Sequence, residues 1–164
     1  MSLNGCDTLI ATSGDTVSGN AIFAKNSDRP PTETQPLVKQ DRKTHNPNTV
    51  NKLEFISLPE TEVSYKHVGS RPYWCWGYEH GFNEHQVVIG NEALQSRLRP
   101  GKPTLTGMDL VRIGLERGSS AREALNAMTS VIESVGQGKF AHPDGYRTYD
   151  NGFIIADPKE AYVL

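Results

Sequence analysis

Residues 6–29 read CDTLIATSGDTVSGNAIFAKNSDR, from Cys6 to Arg29, and this stretch decides the architecture. Cys6 to Thr12 form a strand candidate rich in β-branched residues, bounded by the turn formers Ser13, Gly14 and Asp15. A second run, Ala21 to Ala24, follows the turn signal Ser18-Gly19-Asn20, so the two strands are expected to pair as a hairpin. An antiparallel return carries Lys25, Asn26, Ser27, Asp28 and Arg29 back toward Cys6. A thiol, a carboxylate and two cations are thereby expected at one end of a sheet.

A cysteine is a weak nucleophile as a thiol and a strong one as a thiolate, so Cys6 needs a base or a cationic neighbour. Removal of Met1 to Gly5 would supply one, because the α-amine of Cys6, with an ordinary pKa of roughly 7.7–8.0, would then lie within reach of its own thiol. Gly5 has no side chain to hinder attack on its carbonyl, so Cys6 is stereochemically able to cleave the Gly5–Cys6 bond itself. Residues 1–5 read accordingly as a propeptide or an expression scar, and 6–164 as part of one domain.

The remaining blocks carry a resemblance. The CDT opening, the KNSDR cluster, SRPYWCWGYEHGFNEHQVVIGNEAL (Ser70 to Leu94), TGMDLVRIGLERGSSAREAL (Thr106 to Leu125) and the closing YDNGFIIADPKEAYVL resemble, in order, the secernin and bacterial dipeptidase family. These are cysteine-type N-terminal nucleophile hydrolases, distantly similar to bile salt hydrolase and penicillin V acylase. The resemblance implies an α+β fold, the N-terminal portion of a four-layer αββα sandwich with mostly antiparallel sheets. It implies an autocatalytically exposed Cys6 and hydrolysis of a linear amide or peptide bond, with dipeptides as the expected substrates. It also implies that the family's domain continues past Leu164 with further strands and site residues. Within that frame Cys6 is the nucleophile, Asp28 holds the liberated amine, and Lys25 stands where the bile-salt-hydrolase relatives carry arginine. A lysine is a point charge and not a planar fork. Arg29 and Asn26 are supporting candidates, and Asn91 is the expected oxyanion donor with Asn83 as its rival; such a donor is worth roughly 3–4 kcal/mol of barrier. Secernins also look like regulators of secretion, so a non-enzymatic interaction protein that keeps the fold is the alternative.

Composition narrows the partners. A formal net charge of −2 offers no electrostatic case for nucleic acid or an anionic membrane, and no apolar stretch is long enough to span a bilayer. A cytoplasmic protein with a small peptide or amide substrate is expected, and a homo-oligomer is open to it. Cys6 and Cys75 are read as free thiols, the latter as a small buried hydrophobe among Tyr73, Trp74 and Trp76.

No cofactor is expected, since the glycines form no phosphate-cradling motif. His67, His80, His85, Glu79 and Glu84 offer metal-ligand chemistry, yet a spacing of five between His80 and His85 does not place both rings on one helical face. They read as surface groups, and no metal is expected. His67 or His85 as the base of an ordinary Cys-His protease is a weaker enzyme alternative.

Farther along, Lys39 to Asn51 read as loop, while Leu53 to Leu58 and Thr61 to His67 are strand candidates. Tyr73 to Gly77 reads as core packing or, second, a pocket wall. Gly81 to Glu84 reads as a turn before a strand over Gln86 to Asn91. Thr106 with Asp109, and Ser120 with Glu123, cap two helices that stop at Gly118 and Gly136. Residues 137–147 read as loop, and Phe153 to Ala156 with Ala161 to Leu164 as a closing hairpin around Asp157-Pro158.

Overall fold

The opening hairpin forms as the turn chemistry requires. In the computed structural model, which describes residues 5–138 and 148–164, β1 (Asp7–Ala11) pairs antiparallel with β2 (Ile22–Asn26). The register sets Thr8 opposite Lys25 and Asp7 opposite Asn26. The connecting loop is held by Asp15 N–H donating to Thr12 O at 3.0 Å and by Gly19, whose φ of 70° suits a residue without Cβ.

The next segment is less loop-like than its polarity suggests. Where 39–51 was expected to be loop, β3 (Leu37–Gln40), β4 (Lys43–Thr44) and β5 (Val50–Lys52) form. They are followed by β6 (Ser57–Pro59), β7 (Val63–Ser64) and β8 (His67–Ser70). These strands are short, and β3, β4 and β5 are polar because each pairs on one side only, which leaves charged side chains in water. Leu53 to Ile56, expected as strand, instead close the β5–β6 turn, with Leu53 N–H donating to Ile56 O at 2.9 Å.

The expected turn at Gly81–Glu84 is also displaced. β9 (His80–Asn83) is a strand, and the turn falls two residues later, where Gln86 takes a φ of 64°, before β10 (Val88–Leu94). Asn83 makes this possible: its amide oxygen accepts from His85 N–H (2.9 Å) and Val87 N–H (3.1 Å) and so builds the turn with a side chain.

Both helices end at their expected caps. α1 (Gly107–Arg117) begins with a complete capping box between Thr106 and Asp109, and α2 (Ala121–Val135) with Ser120 accepting from Glu123 N–H. The Glu123 carboxylate serves Ser119 instead of Ser120, so the second box is shifted by a residue. The loop expected over 137–147 falls, from residue 139 on, outside the described residues. β11 (Asp150–Ala156) and β12 (Ala161–Val163) complete the fold as the expected closing hairpin.

The architecture is α+β and mostly antiparallel: a curled six-stranded sheet of order β12-β11-β10-β9-β8-β3, two helices, and smaller two-stranded sheets. Alternation along β10 defines its layers. Ile89 turns to the helices, where it would meet a Cβ on Gly114 at 2.5 Å; Gly90 turns to the β1–β2 hairpin, where a Cβ would meet Phe23 at 2.7 Å. Helices thus cover one face of the large sheet and the hairpin covers part of the other. The core lies on the helix side and unites Ile89, Phe153 and Ile155 with Leu110, Ile113, Leu115 and Met128. The outer hairpin face leaves Leu9 58% and Ile22 54% exposed. Among the described residues no helix is long and apolar enough to cross a membrane.

Candidate active site

Strand alternation and register build the site. Cys6 immediately precedes β1 and shares a side of it with Thr8, while Lys25 lies opposite Thr8 on β2; this face looks onto Gly90 and Glu92 of β10. Gly90 is what lets the hairpin sit so close, since Lys25 Cδ lies 3.2 Å from where a Cβ would stand. The antiparallel return therefore does bring Lys25, Ser27, Asp28 and Arg29 to the Cys6 end of the sheet.

Lys25 is the centre of the cluster. Its side chain is fully buried, donates to the backbone carbonyl of Asn91, and lies 3.8 Å from Glu79 and 3.7 Å from Glu92. Thr8 Oγ1 donates to Glu92 Oε1. Arg29 extends the network: Nε donates to Glu33 at 2.6 Å, Nη1 lies 3.3 Å from Glu79, and its guanidinium is 5.9 Å from the Trp74 ring. Trp74 Nε1 donates to Glu33 at 3.3 Å, so part of the aromatic patch does wall the cluster. Trp76 instead stacks under Arg112 at 4.1 Å, and Tyr73 is 61% exposed.

The electrostatics follow from burial in this network. Burial holds the Cys6 thiol above its ordinary value; Lys25 and the backbone N–H of Asp28 pull it down, while Glu79 and Glu92 push it up. The resting thiol is protonated at neutral pH and requires a base to become a nucleophile. Burial likewise raises the Glu79 carboxyl against the opposing charges of Arg29 and Lys25. For Arg29, burial works against the charged form, yet Glu33 and Glu79 outweigh it and hold the guanidinium above its usual value. Tyr149 joins through a hydrogen bond with Arg29, and burial raises its phenol.

The remaining sequence candidates separate. Asp28 is exposed and acts on the thiol through its N–H, and Asn26 points to the outer hairpin face. Asn91 reaches the cluster by its backbone carbonyl, and its amide, 2% exposed, is held by neighbouring side chains. That amide lies 3.0 Å from both a Glu79 carboxylate oxygen and the Asn151 amide; turned toward Glu79, as the carboxylate favours, it donates to Oε2 and to the carbonyl at 2.9 Å. Asn83 stands at the far end of β9, where its amide nitrogen donates to Leu115 O (3.0 Å) and Gly118 O (2.7 Å) and ties the turn to the end of α1.

The histidines occupy different places. His67 pairs with Asn83 in the sheet register and His80 with Ser70, which sets His67 and His80 at opposite ends of the β8–β9 pair. His67 is held by Tyr65 O (2.8 Å) and Tyr78 Oη (3.0 Å), and burial lowers it to about 4. His85 packs edge-on against Tyr65, and no group of three His, Cys, Asp or Glu placed to hold a metal occurs among the described residues. Cys75 is 4% exposed, with its thiol directed at Gly77 O.

Sequence reasoning missed Glu33, Glu92 and Tyr149, and it read Glu79 and His67 as surface groups where both are buried, at 1% and 2% exposure. Glu79 and Glu92 carried one usable signal: a strand turned toward a Lys-Arg cluster needs anions in its neighbours once the cations are buried. No family model matches the chain.

Proposed function

We propose that the chain carries the nucleophile end of a thiol N-terminal nucleophile hydrolase, acting on linear amides and most readily on dipeptides. The observation that carries this reading is Cys6 beside β1, its thiol raised by burial, a rise opposed by Lys25 and the Asp28 N–H at the same end of the hairpin. A protonated thiol beside a buried cation suits a nucleophile whose own liberated amine removes the proton. The proposal further takes the α+β layers as part of an αββα sandwich.

In the proposed reaction, Cys6 first attacks the Gly5 carbonyl carbon, the C–N bond breaks, and water releases residues 1–5. The freed amine then accepts the thiol proton as sulfur bonds to the substrate carbonyl, and it returns that proton to the departing amine. Water hydrolyses the resulting thioester and regenerates the thiol. Lys25 favours the thiolate, Asp28 orients the amine, and Asn91 fixes Lys25 and Glu79.

Intact mass with N-terminal sequencing tests the first step. A chain beginning at Cys6 and hydrolysing dipeptides, with turnover lost in Cys6→Ala, is expected; turnover retained in Cys6→Ala rejects the mechanism.

The exposed apolar face of Leu9 and Ile22 favours a second reading, a non-enzymatic interaction protein similar to secernin regulators. A chain that retains Met1 to Gly5 in its mature form, with no dipeptide turnover, selects it.

A further inference from the structure

We infer that Glu92 receives the positively charged amino group of the substrate, which makes the site selective for peptides with a free N-terminus. The inference rests on the hydrolase reading above. Its ground is the charge balance of the cluster. Among the described residues, Lys25 and Arg29 are ion-paired with Glu33, Glu79 and Glu92, three carboxyl groups to two side-chain cations.

Of the three, Glu92 is the one most open to solvent. Glu79 and Glu33 retain 1% and 5% of their side-chain surface, whereas Glu92 retains 20%. The contacts from Thr8 and Lys25 both fall on Glu92 Oε1. A charge only partly matched and partly open to solvent attracts a cation, and a desolvated ammonium is the group that gains most from it. Asp7 and Asp28, both exposed at the same end of the hairpin, add negative potential to the approach.

The spacing fits a substrate. Cys6 and Thr8 lie on one strand side, about 6.6 Å apart, and Thr8 holds Glu92. A sulfur about 3 Å from a carbonyl carbon, an α-nitrogen two bonds beyond it, and a charge-assisted hydrogen bond of about 2.8 Å cover that interval. An N-acylated peptide presents an amide where the ammonium would be and leaves the carboxylate desolvated without a partner.

Calorimetric binding to the Cys6→Ala variant, with residues 1–5 removed by an added protease because the variant cannot cleave them itself, separates this inference from the hydrolase reading, since it needs no turnover. Alanylalanine is expected to bind about tenfold or more tightly than N-acetylalanylalanine, the discrimination of one hydrogen bond to a charged group. Adding Glu92→Gln is expected to erase that preference while leaving the affinity for the acetylated peptide nearly unchanged. Equal binding of the two peptides, binding of neither, or a preference that survives Glu92→Gln overturns the inference. The hydrolase reading falls separately, if Cys6→Ala still turns over dipeptide.

Discussion

Arg29 and Glu79 form a buried ion pair, with Nη1 3.3 Å from Oε1 and only 7% and 1% of the two side chains exposed. Glu79 also faces Lys25 at 3.8 Å, so one carboxylate compensates two cations that the hairpin buries against β10. Removing it leaves Lys25 to Glu92 and Arg29 to Glu33, each with one ion partner fewer. Glu79→Ala is expected to lower stability by roughly 3–5 kcal/mol, read as a fall in urea midpoint at unchanged slope. A loss under about 1 kcal/mol, the range of exposed pairs, would show that the cluster is wet.

Thiol reactivity reports the same cluster from the other side. Burial raises the Cys6 thiol and Lys25 lowers it, so Lys25→Met is expected to move the midpoint of iodoacetamide labelling at Cys6 to higher pH. Peptide mass analysis distinguishes Cys6 from Cys75, which is 4% exposed and labels only on unfolding. An unchanged or lower midpoint contradicts the placement of Lys25 beside the thiol.

The start of α1 carries a pH-dependent contact. Burial, followed by the neighbouring Glu54 carboxyl, pushes Asp109 up to about 7 from 3.8. Glu54 Oε2 and Asp109 Oδ1 are both buried without a hydrogen-bond partner, the arrangement of two carboxyl groups that cannot both be charged cheaply. A folded value above the unfolded one means the native state holds the extra proton between about 4 and 7. The contribution of Asp109 is therefore full below 4 and is lost as pH rises to 7. Asp109→Asn stays neutral throughout. Its stability relative to the parent is expected to improve by a few kcal/mol between pH 4 and pH 7.5, by urea unfolding; a constant difference refutes the coupling.

Gly90 holds the two layers at contact distance. A Cβ there would stand 2.7 Å from Phe23 and 3.2 Å from Lys25. Gly90→Val is expected to cost roughly 1–3 kcal/mol and to lift the hairpin. Cys6 should then label faster, while the far-ultraviolet dichroism of the helices is retained. Wild-type labelling kinetics in the variant would mean that the hairpin does not rest on β10.

Some elements were legible because their signals are local. The hairpin pairing follows from two strand-like runs around turn formers, and the helix ends follow from Thr106, Ser120, Gly118 and Gly136. β9 was not legible: Gly81-Phe82-Asn83 looks like a turn, and only pairing with β8 and β10 makes it a strand. β3 to β5 hid for a similar reason, since a polar edge strand has no apolar alternation to show.

The sequence by itself determined that Cys6, Lys25, Asp28 and Arg29 meet at one end of a hairpin, because an antiparallel return carries the end of the second strand back to the start of the first. Only the tertiary structure decided which anions meet them. Glu79 and Glu92 lie on the far side of residues 30–78 from the hairpin, and nothing local distinguishes them from surface glutamates. Packing of the hairpin onto Gly90 removes water from Lys25 and Arg29, and a buried cation persists only where the sheet beneath it supplies a carboxylate.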